Sequence, residues 1–341
     1  MKQILITPEI KAMAEEYSKK LFADKPASFV QPVDGLKNLI LDLKEVNDGL
    51  AHKEMYIKYL EQIIKDYDVL KELLPKRFTT FKRKYDRIIK DCSLSIRIKY
   101  RRSKLSSIKA ERDKLSTKEK AFYELIIARM HYDDTRLYMG PYMKRIGINT
   151  CVYCNLAKAT YSEKLKEVYY PFDHRKPKNE YPFLCISFFN LYPSCTECNG
   201  HKLDDESKGF DLYIESMPIS DPFVFEIDRS KIEEGNPDTV KVDFHSRKIA
   251  DKKIAEKYNT DFRIEEFYNS DDEKRSNYQM QKLIYSHSCS YSTSLAASVP
   301  SVDTDRQKIF TDVLGVKDDE IIFSDPRKKL KIDTAKDAGL L

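Results

Sequence analysis

The sequence predicts a mainly α-helical protein with a small α+β insert near the middle of the chain. Apolar residues recur at helical spacing through the first third, and strand-like segments occur only after Gly147. Only 9 glycines and 14 prolines occur among 341 residues, which argues against long disordered tracts. A chain of this length exceeds the usual size of a single core, so we expect several structural units.

Two changes of composition divide the chain into three predicted units, over residues 1–145, 146–215 and 216–341. The first is a basic helical domain, the second a small central α+β module, and the third a mainly helical domain. In the second and third units neither positive nor negative charge strongly predominates. Their organisation is therefore inferred from motifs and strand patterns.

Several local patterns predict where elements begin and end. Thr7 before Pro8 predicts the start of a helix, and a capping-box pattern over residues 116–119 predicts another. In the third unit, the segments 222–227 and 240–244 predict two short strands that can form a hairpin. The small residues over 286–303 predict a loop.

The net charge of +5 conceals an asymmetry along the chain. Residues 1–150 hold 32 Lys and Arg against 21 Asp and Glu, whereas the remainder holds 28 against 34. The stretch 76–109 alone contains 13 basic and 2 acidic residues with aromatic residues interleaved. This composition predicts a nucleic-acid surface, with contacts from Arg83, Lys84, Arg101 and Arg102. A solvated helical face whose aromatic residues point into the core is the alternative.

Cysteine usage and hydropathy indicate the compartment. No apolar run approaches the roughly 18 to 20 residues that a membrane span requires. Four of the seven cysteines form two CxxC pairs, which is the usage of metal ligands rather than of disulfides. We therefore expect a soluble, cytoplasmic protein that has no membrane partner.

The two CxxC pairs predict one structural zinc site. Cys151 and Cys154 form the first pair, and Cys195 and Cys198 form the second. Four thiolates complete a closed tetrahedral shell, which leaves no open position for substrate. The zinc is therefore expected to hold structure and to take no direct part in chemistry.

The segment between these pairs contains further polar motifs in a fixed order: Asp173-His174, Asn190-Leu191 and Cys198-Asn199-Gly200-His201-Lys202. In this order and spacing, residues 151–202 resemble the HNH, or ββα-metal, nuclease family, in its subgroup with two CxxC zinc knuckles. The resemblance implies that the central unit is a zinc-stapled HNH nuclease module. It covers about a seventh of the chain.

The resemblance also implies a role for each matching residue. His174 would be the general base, Asp173 and Asn199 would hold Mg²⁺ or Mn²⁺, and Asn190 would orient His174 through the loop. Lys202 would face the phosphate, with Arg175, Lys176 and Lys178 flanking it. One departure from the colicin-like branch is Leu203, which stands where that branch has a further histidine ligand. His201 is the nearest substitute, but its offset from Asn199 points away from the ligand face of a helix.

The same residue types suit phosphodiester hydrolysis on chemical grounds alone. An imidazole with a pKa near 6.5 can accept a proton from water at neutral pH. A carboxylate and an amide oxygen are ligands that Mg²⁺ prefers, and two protein ligands leave room for water and phosphate. Lysine and arginine supply positive charge near the phosphate oxygens.

The expected function is therefore endonucleolytic hydrolysis of DNA that leaves 5′-phosphate and 3′-hydroxyl ends. Helical regions that flank such a motif resemble effectors of bacterial antiphage or restriction systems, in which a separate ATPase or sensor often controls the nuclease. The sequence has no GxxxxGK[ST] loop, so any ATP dependence would come from another chain. Two alternatives stay open: cleavage of RNA or tRNA, and a non-catalytic zinc-knuckle module that binds nucleic acid or a protein partner.

Overall fold

A computed structural model describes residues 3–101, 117–216, 221–295, 311–312, 314–315 and 321–341. We label its helices in chain order as α1 to α12: Pro8–Lys20, Pro32–Val46, Lys53–Lys71, Phe78–Ile88, Phe122–Arg129, Tyr132–Ile146, Thr196–Lys202, Arg229–Glu233, Lys252–Phe262, Ile264–Tyr268, Asp271–Leu295 and Lys328–Asp337. The strands β1 to β10 are Ile4–Leu5, Arg97–Arg101, Thr117–Ala121, Tyr161–Ser162, Glu167–Val168, Phe172–His174, Leu191–Pro193, Tyr213–Ile214, Val224–Ile227 and Val242–His245. All of these strands form two-stranded sheets. The mainly α-helical class with small β elements is confirmed.

Helices α1 to α6 pack together in the N-terminal part of the chain. The hydroxyl of Thr7 accepts a hydrogen bond from the backbone N–H of Ile10, so α1 begins where the sequence predicts. Helix α2 packs on α3, and α1 packs on both α3 and α6. Their apolar stripes meet in a buried core that includes Tyr17, Leu39 and Leu60.

The predicted helix start at residues 116–119 is wrong. Thr117–Ala121 forms strand β3, which pairs with β2 in antiparallel register and places Lys99 opposite Glu119. Helix α5 begins only at Phe122, where the carboxylate of Glu124 accepts a hydrogen bond of 3.0 Å from the backbone N–H of Ala121. Pairing with β2 thus decides the structure of a segment whose local pattern favours a helix.

The central part contains a short antiparallel pair that is followed by a helix. In β6 and β7, Asp173 lies opposite Tyr192 and His174 lies opposite Leu191. Helix α7 begins directly after Cys195, whose sulfur accepts from the backbone N–H of Cys198 at 3.4 Å. This strand–strand–helix order places the end of β6 beside the first turns of α7.

The C-terminal part contains the predicted pair of strands. Strands β9 and β10 are antiparallel, with Phe225 opposite Phe244, and α12 packs against β9. The loop predicted over 286–303 is wrong over residues 286–295, which belong to α11. This segment is helical although it is rich in serine, and the helix packs against α10 and α12. The remainder of that predicted loop lies outside the described residues.

The three parts share one buried core. Ile4, Phe188 and Phe225, one from each predicted unit, belong to the same cluster of buried side chains. Strand β1 also pairs in parallel with β8, which joins residues near the N-terminus to the end of the central part. The three-unit division stays a prediction. Across the described residues, every helix is too short or too polar to cross a bilayer.

Candidate active site and zinc centre

Four cysteine sulfur atoms come together beside the β6–β7 pair. The sulfur atoms of Cys151, Cys154, Cys195 and Cys198 all lie within 4.8 Å of one another. A tetrahedral zinc ion with bonds of about 2.3 Å would separate its four sulfurs by about 3.8 Å, so small side-chain shifts suffice. These four residues can therefore hold one zinc ion, in a closed shell without a position for substrate.

Backbone hydrogen bonds form the two knuckles around these sulfurs. In the first knuckle, the N–H of Leu156 donates to the sulfur of Cys154 at 3.4 Å. In the second, the N–H of Cys198 donates to the sulfur of Cys195 at 3.4 Å. The backbone of Val152 donates to Pro193 at 3.0 Å and so joins the first knuckle to β7. Such donors favour the thiolate form that a metal requires.

Aromatic residues of the C-terminal part hold the first knuckle from the other side. The hydroxyl of Tyr258 donates to the carbonyl of Tyr153 at 2.8 Å, and that of Tyr268 donates to the carbonyl of Cys154 at 2.9 Å. The ring of Tyr153 stacks on Phe262 with centroids 4.6 Å apart. The knuckle is thus fixed between β7 and α9.

An open cleft of about 510 Å³ lies where β6, α6 and α7 meet. It collects three of the predicted site residues, Asp173, His174 and Asn199. It also collects Lys178, which was expected beside the phosphate, and residues that sequence reasoning did not assign, among them Tyr132, Asp133, Arg136, Thr196 and Asp204. The four cysteines do not line the cleft.

His174 is held in one orientation. Its Nε2 lies 3.0 Å from the carbonyl oxygen of Cys185, which can only accept, so Nε2 is the protonated nitrogen of the neutral ring. The ring also packs on Tyr132 with centroids 4.4 Å apart. Burial lowers the pKa of His174 to about 3, and the charges of Lys178 and Lys202 add to this effect. The imidazole is therefore neutral, with Nδ1 free of any hydrogen bond to the described residues.

Asp173 lies in a buried network with Tyr153 and Lys202. The hydroxyl of Tyr153 donates to Oδ2 of Asp173, and Nζ of Lys202 lies 3.3 Å from Oδ1 and 3.2 Å from Oδ2. Burial raises the pKa of Asp173, while Lys202 and then Tyr153 oppose the rise. A carboxylate offers about four acceptor positions, so these contacts leave capacity for a further ligand.

The oxygen donors of Asp173 and Asn199 suit a divalent cation, and the Asn199 amide has no hydrogen-bond partner among the described residues. Both line the cleft. The side-chain amide of Asn199 makes no hydrogen bond to the described residues, although the residue is only partly exposed. A hard carboxylate oxygen and a neutral amide oxygen suit Mg²⁺ or Mn²⁺. His201 is not part of this lining, and its ring centroid lies 6.0 Å from that of Phe267.

Asn190 ties together the loop between β6 and β7. Its Nδ2 donates to the carbonyls of Lys176 and Leu184 at 3.2 and 3.1 Å, and its Oδ1 accepts from the backbone N–H of Lys176 at 2.7 Å. Leu184 precedes Cys185, whose carbonyl holds the His174 ring. The amide thus acts on the loop, and its importance for catalysis stays a prediction.

Three of the cations expected near the phosphate each lie against an acidic residue. Lys202 is fully buried, and its ammonium contacts Asp173 and the carbonyl of His174 at 2.8 Å. Arg175 pairs with Asp211 at 2.8 Å and donates to the carbonyl of Glu206, while Lys176 pairs with the carboxylate of Glu206. None of these three cations lines the cleft.

The basic segment has a different organisation from the predicted one. Its aromatic residues Phe78, Phe81 and Tyr85 are buried, because α4 turns this face toward the core, so they do not offer a stacking surface. Lys84 pairs with Asp66 at 2.7 Å, and Arg101 pairs with Glu45 at 2.7 Å. Arg83 is exposed, and Arg102 lies outside the described residues. Nucleic-acid binding by this segment stays a prediction.

Tyr132, Arg136 and Tyr153 are the site residues that sequence reasoning missed. Tyr153 lies inside the first CxxC pair, where an aromatic residue next to metal ligands could have drawn attention. Tyr132 and Arg136 lie on α6, before Cys151 in sequence, and no local pattern connects them with the motif. The hydroxyl of Tyr132 donates to the carbonyl of Phe172 at 2.8 Å, which attaches α6 to β6.

Comparison with known proteins gives one partial similarity. A segment of this chain is 39% identical over 72 residues to the Septu protein PtuB of Bacillus thuringiensis. The match covers 20% of this chain and 26% of that protein. No family profile and no solved structure matches the chain.

Proposed function

We propose that this protein is a metal-dependent HNH endonuclease that hydrolyses DNA phosphodiester bonds. The observation that supports this most is one cleft that contains a neutral, oriented His174 beside Asp173 and Asn199. The β6–β7–α7 order that presents them is the strand–strand–helix order of the HNH family. The four-cysteine cluster behind β7 is where that subgroup has its structural zinc.

His174 acts as the general base in this proposal. Its Nε2 proton is held by Cys185, so Nδ1 accepts a proton from the water that attacks phosphorus. The stacked ring of Tyr132 and the loop held by Asn190 keep this nitrogen in place. A divalent cation on Asp173 and Asn199 would supply charge stabilisation for the phosphate and the leaving oxygen.

A role in antiphage defence is the second part of the proposal. The partial similarity to a Septu protein supports it, as does the presence of helical regions on both sides of the candidate site. Because the sequence has no nucleotide-binding loop, we propose a separate ATPase or sensor protein as its partner. The proposed setting is the bacterial cytoplasm.

The test compares plasmid DNA and total RNA as substrates for purified protein with and without added Mg²⁺. We expect Mg²⁺-dependent plasmid cleavage, and we expect His174→Ala to lower its rate by about 10² to 10⁴ because it removes a general base. His245→Ala is the matched control, since this histidine lies on β10 and pairs with Glu226 away from the cleft. It should cleave like the wild type.

Three other results would contradict parts of this proposal. Plasmid cleavage that survives His174→Ala would exclude His174 as the base. Faster cleavage of RNA than of DNA would favour the RNA or tRNA nuclease. Binding of either polymer without cleavage, in the presence of Mg²⁺ or Mn²⁺, would favour the non-catalytic zinc-knuckle module.

A further inference from the structure

Three of the four cations that the HNH resemblance implies near the phosphate do not face the cleft. Lys202, Arg175 and Lys176 are each neutralised by a carboxylate and lie outside the cleft lining. The basic side chains that do line it are Arg136 and Lys178. Neither has a carboxylate within ion-pair distance among the described residues.

Arg136 projects from α6 toward the start of β6. One of its terminal nitrogens, Nη2, donates to the carbonyl of Tyr170 at 3.1 Å and contacts that of Val168 at 3.5 Å. Its Nε is buried and has no hydrogen-bond partner. A partly buried guanidinium with an unused donor and no counter-charge is costly unless an anion binds to it.

The position of α6 makes this arrangement possible. Gly140 lies one turn beyond Arg136, and a Cβ there would lie 2.6 Å from the ring of Tyr161 and 2.7 Å from Val168. The glycine therefore lets α6 approach the β4–β5 pair closely. This approach brings Arg136 within reach of the Val168 and Tyr170 carbonyls.

Lys178 follows β6 and lines the same cleft. Its ammonium lies 5.8 Å from the centre of the Tyr132 ring and makes no hydrogen bond to the described residues. Asp133 and Asp204 also line the cleft, but both are exposed, and neither forms an ion pair with these cations.

We propose that Arg136 and Lys178 bind a backbone phosphate of the nucleic-acid strand, so that α6 forms one wall of the active site. This inference rests on the proposed nuclease function and names the residues that hold its substrate. A planar guanidinium can donate two parallel hydrogen bonds to phosphate oxygens, and the lysine adds a point charge. The substrate phosphate would neutralise both side chains.

The test measures binding of a fluorescein-labelled DNA duplex by anisotropy over a range of salt concentrations. All proteins contain His174→Ala, which prevents cleavage during the measurement. Each phosphate contact contributes roughly 0.9 to the slope of log affinity against log salt, so Arg136→Gln and Lys178→Gln should each reduce the slope by about that amount. Arg136→Lys should keep the slope because it keeps the charge.

Arg247→Gln and Lys241→Gln are the matched controls. Arg247 is exposed near the end of β10, and Lys241 is exposed just before it, so neither change should alter the slope. Thermal unfolding of every variant monitors folding, since Arg136→Gln removes hydrogen bonds to two carbonyls. Lys178→Gln removes no hydrogen bond to the described residues, so it tests the inference even if Arg136→Gln fails to fold.

The outcomes separate this inference from the proposed function. If the protein without His174→Ala cleaves plasmid and neither Arg136→Gln nor Lys178→Gln changes the slope, the inference is wrong and the nuclease proposal stands. If the slope falls in both variants, the inference is supported whether or not cleavage is detected. If the protein binds neither duplex DNA, single-stranded DNA nor RNA, both proposals are wrong.

Discussion

Lys202 and Asp173 form an ion pair that is almost completely shielded from water, with Lys202 fully buried and Asp173 4% exposed. The ammonium also donates to the carbonyl of His174, so one lysine fixes both residues at the end of β6. A lysine in this position organises the carboxylate and cannot at the same time extend into the cleft. Its contribution is therefore expected to be structural.

Replacing Lys202 tests that role. We expect Lys202→Met to lower the free energy of unfolding by about 3 to 5 kcal/mol, because it leaves a buried carboxylate without its partner. The double variant with Asp173→Asn should lose less than the sum of the two single changes, by about 0.5 to 3 kcal/mol. Urea unfolding monitored by circular dichroism measures both quantities.

The exposed Lys241→Met serves as the control and should change stability by less than about 0.5 kcal/mol. If Lys202→Met is as stable as this control and only weakens DNA binding, then Lys202 is a phosphate contact after all. These measurements distinguish a lysine that stabilises the fold from a lysine that contacts phosphate. The motif alone does not distinguish these two roles.

At the scale of elements, the zinc knuckles connect α7 to the rest of the site. Helix α7 has only seven residues, which is too short to be stable alone. Cys195 caps the start of this helix and Cys198 lies in its first turn. Helix α9 packs against it. Asn199 is therefore positioned by the four-cysteine cluster at one end of its helix and by packing along it.

Metal analysis tests this coupling. The purified protein should contain one zinc per chain, and Cys198→Ser should lose it, because one of four thiolates is removed from the closed shell. Loss of zinc should also raise proteolytic sensitivity over residues 195–203. Mass spectrometry of metals and limited proteolysis check the two expectations.

Cys92→Ser is the matched control for the metal analysis. Cys92 lies in the N-terminal part with its sulfur 3.5 Å from that of Met55, so its replacement should leave one zinc per chain. Zinc retained by Cys198→Ser, or a wild-type protein that folds without any metal, would contradict the structural role of the four cysteines.

At the scale of the whole molecule, Asn155 joins the first zinc knuckle to the C-terminal residues. Its Nδ2 lies 3.1 Å from the carbonyls of both Ile322 and Asp325, and its Oδ1 accepts from the backbone N–H of Lys329 at 3.0 Å. The side chain is completely buried. These contacts attach the start of α12 to residues that directly follow Cys154.

Asn155→Gly should loosen this attachment without straining the backbone, since residue 155 has φ 53° and glycine accepts that conformation. We expect a loss of about 1 to 3 kcal/mol in the free energy of unfolding, because buried backbone groups lose their partners. Amide hydrogen exchange over α12 should accelerate, which mass spectrometry can measure.

Lys166→Gly is the control, because Lys166 has nearly the same φ of 54° on an exposed turn between β4 and β5. It should leave exchange over α12 unchanged. Unchanged exchange in Asn155→Gly as well would show that the packing of α12 on β9 holds the C-terminal residues without Asn155.

Features that depend on residue type and short spacing could be predicted before the structure was known. The CxxC pairs indicated four clustered cysteines, and the mainly α-helical class followed from apolar periodicity. Asp173, His174 and Asn199 were chosen by motif, and the structure places all three in one cleft. Such patterns are local, so they are readable without knowledge of the rest of the chain.

The charges that face the cleft, and those that are neutralised, could not be predicted in the same way. A motif shows that Lys202, Arg175 and Lys176 are basic, but their carboxylate partners come from Asp173, Asp211 and Glu206 through folding. Arg136 enters the site from a helix distant in sequence. Ion pairing and burial depend on contacts between distant segments, and these contacts set whether a positive side chain is available to a substrate.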